Sequence, residues 1–214
     1  MTSTISSPEH LHFPCEGKEC ARAATLFGFD QDWFSGFWQR KAGCGPCTGA
    51  NILLYLSRMG RISLDEETRD RAGFLRLMEQ SWQYLTPGIM GLNSPFMMQQ
   101  GLDAFFEERG SGLRARALEI PAEPSARPDS SEAEAFIRDG LAADSPVAFL
   151  NLSNGDIPHL ESWHWVTVVG VEGEGDKADL LIYDNGNSIR VNLYTWLHST
   201  RRGGGFVYVA DSAA

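Results

Sequence analysis

The distribution of valine divides this chain into two parts. All eight valines lie in the last 68 residues, and the first of them is Val147. They fall in short runs rich in β-branched and aromatic residues separated by turn residues, a pattern typical of antiparallel strands. The runs are Pro146–Leu152, His164–Val171, Asp179–Tyr183, Ile189–Leu193 and Gly205–Val209. We therefore expect an antiparallel sheet in the C-terminal part, with a hairpin at Asn185-Gly186.

The first two-thirds of the chain has helical patterns instead. Cys47–Met59 carries apolar residues at helical spacing directly after Pro46, a residue that favours the first turn of a helix. Further helices are predicted from a capping box at Ser63 and Glu66 to about Leu85, from Ser94-Pro95 to Gly110, and over about Glu132–Ala142, with a strand at Leu113–Ile120. The pattern predicts a single α+β domain over residues 1–214, with a helical lobe to about residue 143 and a β lobe from about residue 144.

Composition narrows the classes of function. The chain has 18 Lys and Arg against 28 Asp and Glu, a net charge of −10, which argues against a nucleic-acid partner because such binding depends on cationic side chains. No apolar run approaches the roughly 18 residues of a membrane-spanning helix, and Met1–His10 lacks the apolar core of a signal peptide. We therefore expect a cytoplasmic protein that binds no membrane. Its four cysteines are expected to serve chemistry or metal binding rather than a disulfide scaffold.

The quartet Cys44-Gly45-Pro46-Cys47 is the most informative motif, and it has two interpretations. In the first it is a dithiol redox site, because the quartet is identical to the active-site tetrad of thioredoxins. There the first thiolate lies at a helix N-terminus and the second cysteine resolves the mixed disulfide. That interpretation requires a parallel strand rich in Val and Ile directly before the quartet, and neither residue occurs between Ile5 and Ile52.

In the second interpretation Cys44 is a nucleophile. The positive end of the helix dipole favours a thiolate at this position. Gly45 lets a substrate approach the backbone, and Pro46 presets the first helical φ. The quartet then marks the start of a helix that presents one reactive sulfur.

A cysteine nucleophile also needs a base, a group that orients the base, and an oxyanion hole. Gln39 lies five residues before Cys44 and is the candidate to join the Cys44 backbone N–H in holding the oxyanion. His164 opens a predicted strand and is the candidate base. Asp184 ends the next strand, level with His164 if the two strands pair, and is the candidate orienter. Asn185 remains an alternative orienter, because Asp-Asn-Gly-Asn also suits a hairpin without catalytic duty.

A resemblance to a known family rests on three segments, Gln39–Leu56, His164–Val171 and Tyr183-Asp184. They are similar to the papain-superfamily cysteine peptidases that include the double-glycine leader peptidases of bacteriocin export. The resemblance implies a papain-like fold, with the nucleophile on the central helix of the left lobe and the histidine and aspartate on the sheet of the right lobe.

Carried over by position, the resemblance implies that Cys44 is the nucleophile, Gln39 the oxyanion donor, His164 the base and Asp184 its orienter. The chain departs from the family at Cys47, where a small residue such as Thr or Ala is usual. The family's leader peptidases are commonly fused to a membrane transporter, whereas we expect a free-standing domain, so a leader-peptide substrate is not implied. The predicted function is a cysteine peptidase or amide hydrolase that acts on a peptide or amide substrate with no metal or cofactor.

Two further interpretations concern metal binding and the loss of catalysis. His10, His12, Cys15 and Cys20 carry the usual ligand types of zinc, but their spacing follows no common finger pattern. A polar N-terminal arm is therefore favoured there. The remaining alternative to an enzyme is a non-catalytic papain-like binding module, which would keep a cleft without a reactive thiol.

Overall fold

The computed structural model of the protein describes residues 1–15, 25–64 and 68–212. These residues form six α-helices and nine β-strands, which confirms the predicted α+β class. The helices are α1 (Phe37–Ala42), α2 (Cys44–Arg58), α3 (Arg71–Tyr84), α4 (Pro95–Glu108), α5 (Ser130–Ala142) and α6 (Leu193–Ser199). The strands are β1 (Thr2–Thr4), β2 (His12–Pro14), β3 (Thr25–Phe27), β4 (Leu113–Ile120), β5 (Val147–Asn151), β6 (His164–Glu172), β7 (Asp179–Asp184), β8 (Asn187–Asn192) and β9 (Gly204–Asp211).

Seven of these strands form one sheet in the order β4-β9-β5-β6-β7-β8, and β1 pairs with β6. Every pairing between the described strands is antiparallel, and β2 pairs with β3 in a separate ribbon. The sheet crosses the expected lobe boundary near residue 143, since β1 and β4 come from the first part of the chain. The predicted hairpin at Asn185-Gly186 joins β7 to β8, and both turn residues have positive φ, 44° and 77°, as a type I′ turn requires.

Helix α2 is the core helix of the fold. Every residue from Gly45 to Leu56 is buried, so this helix is enclosed by other elements on all sides. It packs against α3 and against β6. The helix begins at Cys44, three residues before the predicted start at Cys47. Its first turn therefore contains the whole cysteine quartet.

Other helix boundaries correct or confirm the predictions. Helix α3 begins at Arg71, where the Asp70 carboxylate accepts a 2.8 Å hydrogen bond from the Gly73 N–H. The predicted start at Ser63 is wrong because Ser63, Leu64 and residues 68–70 are not helical, and Glu66 lies outside the described residues. Helix α4 begins after its predicted cap at Ser94. Helix α6 was not predicted.

None of the helices in the described ranges is long and apolar enough to cross a membrane.

Candidate active site

Cys44 is the first residue of α2 and is partly exposed. Helix α1 ends two residues earlier, and Gly43 makes the sharp connection between the two helices. A side chain at residue 43 would collide with the Gln39 carbonyl oxygen and with the ring of Phe34, so glycine is required for this close approach. The thiol pair is thus preceded by a helix rather than by the strand that a thioredoxin site needs.

His164, the first residue of β6, lies beside both other members of the predicted triad. Its Nε2 is 2.7 Å from Asp184 Oδ1, and the Cys44 side chain is near enough to be among the groups that raise the pKa of the imidazole. Asp184 occupies Nε2, which leaves Nδ1 as the ring nitrogen available to Cys44. The structure therefore brings together Cys44, His164 and Asp184 in the predicted order of contact.

The pairing of β6 with β7 explains how Asp184 reaches the imidazole. Thr167 pairs with Tyr183, so Asp184 lies level with Val166, two residues along β6 from His164. Alternate residues of a strand share a face, and a diagonal neighbour at this offset is within reach of a long side chain. The predicted level pairing is therefore wrong by two residues, yet both side chains lie on the same face of the sheet.

The electrostatics of His164 favour its charged form. Burial by itself would lower the pKa of the imidazole, but the hydrogen bonds and charges of Asp184 and Cys44 outweigh that effect and raise the pKa to about 10. The ring is only 4% exposed, so water screens these interactions little. His164 is thus an imidazolium at neutral pH, held between a carboxylate and a sulfur.

Cys47 differs from Cys44 although both thiols are free. Its side chain is buried, and burial, together with the negative charges of Asp30, Cys44 and Asp184, raises the pKa of Cys47 well above its ordinary value. A thiol in this state is a poor nucleophile because the thiolate is the reactive form. The environment therefore assigns different roles to two cysteines that the sequence presents as a pair.

Gln39 and Asn185 have structural duties of their own. The Gln39 Oε1 accepts a 3.2 Å hydrogen bond from the Gly36 N–H and so caps the start of α1. In the described part of the chain this is the one hydrogen bond of the Gln39 side chain, so the structure does not join it to the triad. The Asn185 Oδ1 accepts from the Gln31 N–H at 3.4 Å. Asp184, not Asn185, is thus the partner of His164.

A narrow cleft with a volume of about 10 Å³ opens beside the two cysteines. Its lining comes from α2, β6, the β7–β8 turn and the segment before α1, and consists of Phe29, Cys44, Cys47, Thr48, Asn51, Trp165, Tyr183, Asp184 and Asn185. Trp165 also closes one side, where its indole N–H donates to the Leu92 carbonyl and its ring lies against Gly45. The cleft reaches the side chain of Cys44 and has room for about one water molecule.

Asn51 was missed by the sequence reasoning. It lies two helical turns after Cys44, is 3% exposed, and links three segments. Its Oδ1 accepts from the Phe29 N–H and its Nδ2 donates to Thr167 Oγ1, both at 2.9 Å. A lone asparagine inside an otherwise apolar helix is the signal that could have identified it, because a buried amide requires partners. This residue fixes α2 against β6, the two elements that carry Cys44 and His164.

The described residues offer no support for the zinc site considered in the sequence. No group of three or more His, Cys, Asp or Glu side chains there is arranged to hold a metal ion. The His12 Nε2 is 2.7 Å from the Tyr183 hydroxyl. Cys15 is disulfide-bonded, so the expectation that no cysteine serves in a disulfide is wrong at this position, and Cys20 lies outside the described residues.

Comparison of the chain with family models and with curated proteins identifies no relative. No protein-family model matches the chain, and no curated protein is significantly similar to it.

Proposed function

We propose that this protein is a papain-like cysteine peptidase or amide hydrolase. The observation that carries the proposal is the position of His164, which pairs with the Asp184 carboxylate at one ring nitrogen and lies close enough to Cys44 for that side chain to affect its pKa. Such a chain of nucleophile, base and orienting carboxylate is recognised by its geometry and not by sequence position. The packing of a central helix that begins with Cys44 against a sheet that carries His164 and Asp184 supports a papain-like arrangement.

In the proposed reaction the Cys44 thiolate attacks the carbonyl carbon of a peptide or amide. The His164 imidazolium then donates its proton to the leaving amine, and the neutral ring later takes a proton from the water that hydrolyses the thioester. Asp184 holds the ring in place and stabilises its charged form. None of these reaction steps requires a metal or a cofactor.

The oxyanion that forms during attack needs hydrogen-bond donors. The backbone N–H of Cys44 is available because the first N–H groups of a helix have no partner within it. Gln39 is the proposed second donor: its Oε1 is engaged at the cap of α1, which leaves the NH₂ end of the amide for the oxyanion.

A dithiol oxidoreductase is the second candidate, because Cys44 and Cys47 are both free and one helical turn apart. It would require both thiols and would reduce the disulfides of insulin with a dithiol donor. The burial of Cys47 and the helix before the quartet favour the hydrolase instead. A non-catalytic papain-like module would keep the cleft but show no preferential alkylation at Cys44.

Limited alkylation tests the proposal without knowledge of the substrate. Trypsin releases residues 42–58 as one peptide that contains both free cysteines, so mass spectrometry can follow iodoacetamide at each sulfur across pH. We expect selective modification of Cys44 below about pH 7, since Cys44 is partly exposed beside the His164 ring and Cys47 is buried. His164→Ala should abolish this selectivity, and His198→Ala, which alters an exposed histidine on α6, should not. Equal and slow labelling of both thiols in the wild type would refute the proposal.

A further inference from the structure

The second cysteine of the quartet has no place in the hydrolytic reaction. Cys47 is free, buried and three residues after Cys44 on the same helix. We propose that Cys44 is a site of oxidation by hydroperoxides and that Cys47 is its resolving thiol, so that peroxide converts the pair into a reversible Cys44–Cys47 disulfide that silences the nucleophile.

Helix geometry brings the two residues to bonding distance. Residues at i and i+3 of an α-helix have Cα atoms about 5 Å apart, within the range of about 4.4–6.8 Å that disulfides span. Both residues also line the same narrow cleft, so the two side chains share a common space. A disulfide here needs rotation of side chains rather than movement of the helix.

The surrounding contacts hold the turn that separates the two thiols. The Pro46 carbonyl accepts a 2.8 Å hydrogen bond from Ser81 Oγ on α3, and the Cys47 N–H donates to the Gly43 carbonyl at 2.8 Å. Gly45 packs so closely against Leu92 that a Cβ at residue 45 would lie 2.8 Å from the Leu92 Cδ2. The spacing of the thiols is therefore built into the packed core.

The chemistry proceeds in two balanced steps. The Cys44 thiolate attacks one oxygen of hydrogen peroxide, which yields a sulfenic acid and, with one proton, water. The Cys47 sulfur then attacks the Cys44 sulfur, a disulfide bond forms, and the sulfenic oxygen leaves as a second water with the proton of Cys47. The two thiols lose two electrons and the peroxide gains them.

The different environments of the thiols set the order of events. Cys44 is partly exposed and lies beside the His164 imidazolium, so it is the sulfur that meets the oxidant. Cys47 is buried and, with its raised pKa, reacts slowly. The sulfenic acid at Cys44 should therefore persist long enough to be trapped before Cys47 closes the disulfide.

Peptide mapping after treatment with hydrogen peroxide tests the proposal apart from any hydrolytic activity. In the wild type we expect the tryptic peptide of residues 42–58 to become lighter by two hydrogen atoms and to regain its mass with dithiothreitol. Dimedone added with the peroxide should trap Cys44 and not Cys47. In Cys47→Ala the same peptide should gain two or three oxygen atoms, a change that dithiothreitol does not reverse.

Cys47→Ser provides a second variant of similar side-chain volume, so a folding defect in one variant does not decide the result. Both variants should lose the reducible form and accumulate the irreversible acids several-fold faster than the wild type. Equal accumulation of irreversible acids in the wild type and both variants, or dimedone on Cys47, would overturn the proposal. Formation of the disulfide in a protein that hydrolyses no peptide would leave this inference standing and refute only the proposed hydrolase.

Discussion

The Nε2 of His164 and the Oδ1 of Asp184 lie 2.7 Å apart, although the two residues are 20 positions apart in the chain and two residues out of register in the sheet. This contact leaves the other ring nitrogen for Cys44. It also supplies the negative charge that, with Cys44, overcomes the effect of burial on the imidazole. The reactivity of the sulfur should therefore depend on Asp184.

Replacement of Asp184 by Asn keeps a hydrogen-bond acceptor but removes the charge. The pKa of His164 should fall, because the Asp184 carboxylate is one of the groups that raise it. We expect slower alkylation of Cys44 near neutral pH in Asp184→Asn, because fewer molecules then carry an imidazolium beside the sulfur. Asn185→Gly is the matched control, since glycine tolerates the positive φ of this turn position. An unchanged pH profile in Asp184→Asn would remove this residue from the triad.

Substitution of each free cysteine separates the nucleophile from its neighbour. Cys44→Ala should lower the rate of hydrolysis of a fluorogenic peptide library by roughly 10³-fold or more, since loss of a nucleophile removes the covalent route. Cys47→Ala should keep most of the activity because this buried thiol does not contact the reacting atoms. The opposite ranking would assign the chemistry to Cys47.

The charge of His164 links the free energy of unfolding to pH. The folded-state pKa of about 10 lies above the value of about 6.5 expected in the unfolded chain. The stabilisation from this group is therefore complete below about pH 6.5 and is lost as the pH rises through about 10. Urea unfolding of the wild type should give a free energy that declines over this interval. His164→Gln should show a smaller decline, and parallel curves for the two proteins would contradict the linkage.

Gly45 tests the packing beside the nucleophile. An added Cβ would lie 2.8 Å from Leu92 Cδ2 and 3.4 Å from Trp165 Cδ1, so Gly45→Ala should lower the free energy of unfolding by about 1–3 kcal/mol. Gly88→Ala is the control, because nothing lies within 4 Å of its added Cβ, and it should change stability by less than about 0.5 kcal/mol. Equal thermal stability of the two variants would show that the Leu92 side chain moves away from the added methyl group without a measurable loss of stability.

Asn51 should matter for both stability and activity. Asn51→Ala leaves the buried Phe29 N–H and the Thr167 hydroxyl without their partner, at an expected cost of about 2–4 kcal/mol in the free energy of unfolding. Thr167→Val removes only the second link and should cost about 1 kcal/mol. Calorimetry can rank the two variants, and a larger loss in Thr167→Val would contradict this account of the network.

Much of the architecture followed from local patterns in the sequence. The segregation of valine after residue 146 predicted where most of the sheet lies, because β-branched side chains suit a pleated, half-buried surface. Asn185-Gly186 predicted its hairpin, since few residue pairs adopt two successive positive φ values. Helix α3 was misplaced because a capping pattern at Ser63 resembles a helix start, whereas Asp70 caps the actual one.

The sequence by itself determined which chemical groups this protein carries: a cysteine at the start of a helix, a histidine that opens a strand and an aspartate that closes the next. Only the tertiary structure decided their relationships, because strand register and helix packing bring together residues that are 20 positions apart, as for His164 and Asp184, or more than a hundred apart, as for Cys44 and His164. Those contacts place the His164 imidazole against Asp184 rather than against Asn185. They also leave Cys44 partly exposed while they bury Cys47. Periodicity can assign a side chain to a face of its element, but the partner that it meets there depends on how the whole core packs.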